Sequence, residues 1–256
     1  MLSLKSLLER LPSKFRRTGL RHMQRQRKHK HEPTQHKYSR PYRDRAIVEV
    51  FLGTGVRREE LMNLNLDQIV AGTYFQDDKT PRELVTPDVL RKARRVQLVN
   101  VYGKNRTLRN LYVPLDARNA LADYLETERG EDAASFADPH ALFLRASSIR
   151  FLRKPQDEHD YVEPEGDANG RLTVRSINKL VHKIGELHDA EQTEPKRKLG
   201  PLHPHIFRHT FGFRLAKTTN ADKFELQRRL GHQSEAYIKV YTDPPAEIAA
   251  GYVEEF

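Results

Sequence analysis

Two arginines, two histidines and a tyrosine stand in this chain at spacings that suit phosphoryl chemistry. The last third of the 256 residues reads HPHIFRHTFGFRLA and then LGHQSEAYIKVYTD. It sets His205, Arg208, His232 and Tyr241 in order, and Arg57 lies far upstream in GTGVRREEL. Such a set can break a phosphodiester without a metal. Arginine carries a permanent charge and a fixed fork of donors, which suits the negative non-bridging oxygens of a phosphate. A phenol is a nucleophile that can also leave again, because its pKa lies near ~10.

Taken singly, each signal is weak. The H-x-x-R spacing puts His205 and Arg208 on one helical face, yet alone it reads as a surface pair. His232 alone would be a helix-end histidine, held by the negative end of the helix dipole. A lone tyrosine more often belongs to a core. Tyr237 stands one helical turn before Tyr241 and competes with it for the role.

The elements that must position these groups can be read from the pattern. RAIVEVFLGTGVRREELMNLNLDQI reads as two helices broken at Gly53–Gly55, with Ile47, Val50, Phe51, Leu61 and Leu64 at helical spacing. Residues 71–92 read as an inserted loop with room for one helical turn. RVQLVNVYGKNRTLRNLYVPL reads as a β-hairpin with its turn at Gly103–Thr107. Asp116 is expected to cap the next helix, and Thr173 to open another through Ile184. Residues 129–170 are rich in Asp, Glu, Pro and Gly and read as loop apart from ALFL. Two short helices follow the His205 helix, the first stopped at Gly231. The fold class expected is mainly α with a small antiparallel sheet.

Composition sets the outer bounds. The chain is 37% hydrophobic and 31% charged, polar but able to bury a core. No run approaches the ~18 apolar residues of a membrane span, and MLSLKSLLERLPSKFRR lacks a secretory signal's apolar block and cleavage site. The absence of cysteine excludes disulfides, cysteine zinc sites and cysteine nucleophiles, and fits a cytoplasmic protein. The formal charge is +10. Residues 1–45 hold 14 Lys and Arg against 3 Asp and Glu, so that arm carries the whole excess. Such clustering suits a polyanion, since neutralising phosphates releases counterions. Leu2, Leu4, Leu7, Leu8 and Leu11 mark a short amphipathic helix that needs a docking surface to persist. The histidines of HKHEPTQH (residues 29–36) invite a zinc reading, but no metal or cofactor is expected.

Four segments together resemble the catalytic domain of the tyrosine recombinases, the phage integrase family. GTGVRREEL resembles the first arginine motif, with Arg57 as the arginine and Glu60 as its acidic partner. VYGKNRTLRNLYVPL resembles the family hairpin, with Lys104 at the turn; Lys92 and Arg106 fit less well. HIFRHTFG resembles the H-x-x-R box. LGHQSEAYIKVYTD resembles the histidine–tyrosine segment, whose nine-residue gap singles out Tyr241 over Tyr237. The likeness runs from about residue 42 to 245 and departs from the family in the hairpin, where GKNR lacks the usual glycine after lysine.

The resemblance implies strand cleavage through a 3′-phosphotyrosyl link on Tyr241, with Arg57 and Arg208 on the phosphate. Lys104 would be the general acid for the leaving 5′-oxygen. His205 and His232 would assist, and Glu60 would orient Arg57. It implies double-stranded DNA as partner, a homotetramer on DNA at synapsis, an accessory DNA-binding protein and an origin in a mobile element or chromosome-dimer resolution. The layout expected is a basic arm over residues 1–43, a catalytic domain over 44–245 and a C-terminal helix over 246–256. Most relatives carry an N-terminal clamp domain; only about 43 residues precede the likeness here, in a naturally minimal protein or a truncated form, and the arm is expected to replace the clamp in part. Ile248, Tyr252 and Phe256 form one helical stripe, expected to dock on a neighbouring subunit. The alternatives are a type IB topoisomerase, which shares the chemistry, and a catalytically silent DNA-binding protein.

Overall fold

The computed structural model describes residues 4–12, 40–72, 84–103, 107–134, 136–146, 169–231 and 236–242. Helix α1 covers residues 4–12. It is followed by α2 (Pro41–Thr54), α3 (Arg58–Met62), β1 (Ile69–Ala71), α4 (Pro87–Lys92), β2 (Val96–Tyr102) and β3 (Leu108–Tyr112). Then come α5 (Leu115–Tyr124), α6 (Gly130–Ala133), α7 (Val174–Asp189), α8 (Pro204–Thr218), α9 (Lys223–Leu230) and α10 (Ala236–Thr242). The fold is mainly helical with one small antiparallel sheet.

Helix α2 is the central post. Its Ala46, Ile47, Val50 and Phe51 are fully buried, and it packs against α5 on one side and α8 on the other. Phe51 stacks on Phe207 of α8 with ring centroids 6.0 Å apart. That contact fixes the helix carrying His205 and Arg208 relative to the segment carrying Arg57.

Helix α1 finds its docking surface here. Leu7, Leu8 and Leu11 are fully buried and belong to the main core. A nine-residue helix would not persist alone, whereas burying each leucine contributes roughly 1.5–3 kcal/mol. Lys5 pairs with Asp116 at 2.8 Å and Arg10 with Glu191 at 2.9 Å.

Two local expectations are corrected. The segment read as loop from residue 71 adjoins a third strand, β1, whose Ile69, Val70 and Ala71 pair antiparallel with Leu98, Gln97 and Val96. The helical turn that the segment had room for is the six-residue α4, started by Thr86, whose side chain accepts from the Val89 N–H. Asp116 is not the cap of α5. Pro114 takes that place, and Asp116 sits in the first turn, where a carboxylate favours the helix dipole.

Helix α3 also ends sooner than its apolar spacing suggests. Arg171 donates to the carbonyls of Met62 and Leu64, and Gln68 Oε1 accepts from the Asn65 N–H at 2.8 Å. Those bonds satisfy the backbone in a turn, so Leu64 is buried beyond the helix end. The hairpin forms as expected, with a bulge between Leu98 and Val101.

Candidate active site

The site is assembled from four elements. Arg57 is the N-cap of α3, in extended conformation. Glu60 lies one turn on and reaches back: its Oε2 accepts from the Arg57 N–H at 2.7 Å, and its Oε1 from Arg57 Nη1 at 2.8 Å. This is half of a capping box, used to hold a guanidinium as well as a helix start.

Arg109, on β3, is the residue that sequence reasoning missed. Its Nη2 donates to Glu60 Oε2, and its Nη1 donates to the Leu230 carbonyl at 2.8 Å. Glu60 is 4% exposed and is shared by two guanidiniums. Burial pushes the Arg109 guanidinium below its usual range; Glu60 opposes that and Arg57 adds to it.

Arg208 projects from α8 and is 3% exposed. Its Nη1 donates to the Gly55 carbonyl at 2.6 Å, and its Nη2 to the Leu230 carbonyl. Burial pushes it down to about 9, and Arg57 and Arg109 push the same way. It stays cationic at neutral pH. Arg57 Nη2 donates to the Gly231 carbonyl at 3.2 Å. Three guanidiniums therefore converge on the C-terminal end of α9, where the helix dipole is negative.

Two glycines make this convergence possible. Gly55 (φ 62°) and Gly231 (φ 62°) are left-handed C-caps of α2 and α9, a conformation costly for other residues. A Cβ at Gly231 would also collide with the Arg109 guanidinium, and one at Gly55 with the Phe211 ring.

Tyr241, on α10, is 8% exposed and packs with Leu226, Leu230, Ile238 and Ala216 in a second small core. Its ring meets Phe213 edge-on at 5.3 Å. Its hydroxyl lies 3.2 Å from His209 Nδ1. Burial raises the phenol, and Arg208 and then Arg57 lower it. His205 and His209 stand one turn apart on α8, their rings edge-on at 4.6 Å. Partial desolvation lowers His205, helped by His209 and Arg208.

A cleft of about 550 Å³ opens beside this cluster, lined by Arg57, Arg58, Asn178, His203, His205 and Arg208 among others. Four of the six residues assigned catalysis, Arg57, His205, Arg208 and Tyr241, gather here with Glu60. Lys104 and His232 lie outside the described residues, as do Tyr237's side chain, Arg106, the arm residues 13–39 and the tail 243–256. The residue before each of the two is described. Gly103 precedes Lys104, and a Cβ there would lie 3.4 Å from Glu60 Oε1. Gly231 precedes His232 and accepts from Arg57. Among the described residues no group of three or more His, Cys, Asp or Glu could hold a metal. The HKHEPTQH segment falls outside them. None of the described helices is long and apolar enough to cross a membrane.

The model of the phage integrase family matches residues 27–247, a span that contains every residue of the cluster. The chain belongs to the phage integrase family. Among its relatives is tyrosine recombinase XerC of Pseudomonas savastanoi pv. phaseolicola, 30% identical over 202 residues, covering 78% of this chain and 48% of the relative. XerC of Pseudomonas syringae pv. tomato is 29% identical over 202 residues with the same coverage. The chain thus spans about half the length of the curated relatives it matches. Among solved structures, XerH bound to difH in a pre-cleavage complex superposes with a TM-score of 0.51 at 15% identity, over 88% of this chain and 48% of that one. XerA recombinase gives 0.50 at 20% identity, over 84% and 58%. These likenesses establish the family's helical fold with its small sheet.

Proposed function

We propose that this chain carries the catalytic domain of a site-specific DNA recombinase, cleaving and rejoining double-stranded DNA through a 3′-phosphotyrosyl link on Tyr241. One observation carries the reading: two buried or half-buried arginines, held by carbonyls and a single carboxylate, converge on the end of α9, whose Leu230 shares a small core with the buried Tyr241. Three guanidiniums face one carboxylate, so the cluster is short of negative charge, which a phosphate would supply.

In this reading Arg57 and Arg208 donate to the non-bridging oxygens and stabilise the pentacoordinate transition state, on the order of 3 kcal/mol each. Tyr241 Oη attacks phosphorus and the bond to the 5′-oxygen breaks. Lys104 supplies the proton that the 5′-oxygen takes, and His205 and His232 donate to the phosphate or shuttle protons. Glu60 holds Arg57 and takes no proton. No cofactor enters the step.

The same proposal includes assembly as a homotetramer at synapsis, an accessory DNA-binding protein and a cytoplasmic, nucleoid-associated setting. It also keeps the layout of a basic arm over 1–43, the catalytic domain over 44–245 and a docking helix over 246–256. The XerC relatives carry the name recombinase, which favours this reading over the topoisomerase and over a silent binding protein.

The test is covalent trapping on the source genomic DNA. The protein and its Tyr241→Phe variant are incubated with it and denatured, and the ends of protein-linked fragments are sequenced. Tyr241-dependent adducts at a few sites support the recombinase; scattered adducts would favour the topoisomerase, and none a silent binder.

A further inference from the structure

Arg57 and Arg208 are like charges that must face one phosphate, and each is held by its own anchor. Arg57 Nη1 is held by Glu60 Oε1 at 2.8 Å, and Arg208 by the carbonyls of Gly55 and Leu230. Glu60 stands on α3, whereas Leu230 ends α9. Arg109 on β3 touches both anchors: its Nη2 donates to Glu60 Oε2 and its Nη1 to the Leu230 carbonyl at 2.8 Å.

Arg109 is not among the residues that line the cleft shared by Arg57, His205 and Arg208. Its side chain is 10% exposed, against 26% for Arg57. It therefore acts on a bound phosphate through other residues. As a third cation it adds to the repulsion on Arg208, so what it gives the site is position rather than charge.

We propose that Arg109 is a positioning residue that sets the spacing and aim of the Arg57–Arg208 pair, by holding Glu60 Oε2 and the Leu230 carbonyl on one planar guanidinium. The inference rests on the reading of those two arginines as the phosphate-binding pair.

Two features of the surroundings fit this role. A carboxylate and a guanidinium favour a fork of two parallel N–H···O bonds. Glu60 is kept from making one with Arg57. Its Oε2 is taken by the Arg57 backbone N–H at 2.7 Å and by Arg109, so the Arg57 guanidinium meets Oε1 through Nη1. Without Arg109 the carboxylate can turn and draw Arg57 into the full fork, with its donors facing Glu60 and away from the phosphate. The second feature is the seam between β3 and α9. A Cβ at Gly231 would collide with Arg109 Nη1, so glycine there admits the link. Three residues along β3, the Tyr112 ring lies under Arg229, with its centroid 4.3 Å from the guanidinium carbon. The strand thus meets α9 on both sides of Leu230.

The experiment measures single-turnover attack on a nicked suicide duplex bearing a cleavage site mapped by covalent trapping. One duplex has the natural phosphodiester. The other has a methylphosphonate at the scissile position, where a neutral methyl replaces one charged oxygen and less charge must be neutralised. Arg109→Lys and Arg109→Gln are compared with the parent and with Arg57→Ala, each checked for folding by circular dichroism and for affinity to the duplex. Lysine keeps the counter-charge of Glu60 and with it the fold, but a compact ammonium on a flexible stem does not fix two acceptors in one plane. Both Arg109 variants are expected to bind DNA as the parent does and to attack the phosphodiester about 10²-fold more slowly. On the methylphosphonate their deficit relative to the parent should shrink, as that of Arg57→Ala does. A parent-like rate in Arg109→Lys would overturn the proposal, because the fork would not be needed. An equal deficit on both duplexes would also overturn it, because the fold rather than the aim of the arginines would be at fault. Parent-like attack by Arg57→Ala, or no adduct in the parent, would overturn the reading of the phosphate-binding pair and this inference with it.

Discussion

Arg208 Nη1 donates to the carbonyl of Gly55 at 2.6 Å, joining residues 153 positions apart. The bond ties the H-x-x-R helix to the loop that launches Arg57. The same guanidinium reaches the Leu230 carbonyl, so one side chain locks three segments of the site together.

Arg208→Lys should therefore fail on two counts. A single ammonium cannot span both carbonyls or reproduce the fork. The expected result is a loss of covalent adduct on the order of 10²-fold, and a loss of about 1–3 kcal/mol in urea unfolding from a carbonyl left unpaired.

Glu60 is shared by Arg57 and Arg109. Glu60→Gln leaves two partly buried guanidiniums without their counter-charge. Breaking a buried pair by removing one partner is costly, so destabilisation of about 3 kcal/mol is expected. Denaturant melts of Glu60→Gln, Arg109→Ala and the double variant would measure the coupling: strongly non-additive losses are expected, and simple additivity would refute the shared contact.

Gly212→Ala separates stability from catalysis. Alanine favours a helix interior by about 1 kcal/mol over glycine. Here its Cβ would approach Tyr241 Cζ to 2.7 Å and Cδ1 to 2.8 Å, so the ring must move. The variant should melt near the parent temperature yet form few adducts. Parent-like adduct formation would show that Tyr241 attacks from elsewhere.

Glu128 sets a pH dependence away from the site. Its carboxylate accepts from the N–H groups of Tyr42 and Arg43, capping α2, whose own N-cap side chain makes no such bond. Burial pushes it up to about 7 against the pull of those N–H groups. A raised carboxyl pKa means the folded state holds its proton longer than the unfolded one. Its contribution is full below the ordinary value of 4.5 and is lost as pH rises through about 7. Parent stability should fall across that window relative to Glu128→Gln, by at most about 3 kcal/mol. A constant difference from pH 4 to 8 would contradict this.

Part of the cluster was legible through the resemblance, since the spacings taken singly are weak. The motifs that resemble the family pointed to Arg57, Glu60, His205, Arg208 and Tyr241, which the fold brings together. Arg109 was not legible. It is one of 45 Lys and Arg residues, and its contact with Glu60 depends on how the hairpin settles on α3. His209 left a signal that went unused: a second histidine one turn after His205, followed by a glycine one turn later. The fold erred where local pattern met tertiary bonds. Leu64 keeps helical spacing, but Arg171 captures the carbonyls around it; Asp116 looks like a cap, but Pro114 begins the helix. The short strand β1 was hidden because three residues carry no alternation to read.

The most direct measurement is the mass of the protein–DNA adduct after nuclease and trypsin digestion. Cleavage after Lys239 separates Tyr237, in residues 230–239, from Tyr241, in residues 240–256. Expected is a nucleotide on the second peptide, localised by fragmentation to Tyr241 and absent from Tyr241→Phe. A nucleotide on Tyr237, or an adduct that survives Tyr241→Phe, would contradict the assignment of the nucleophile.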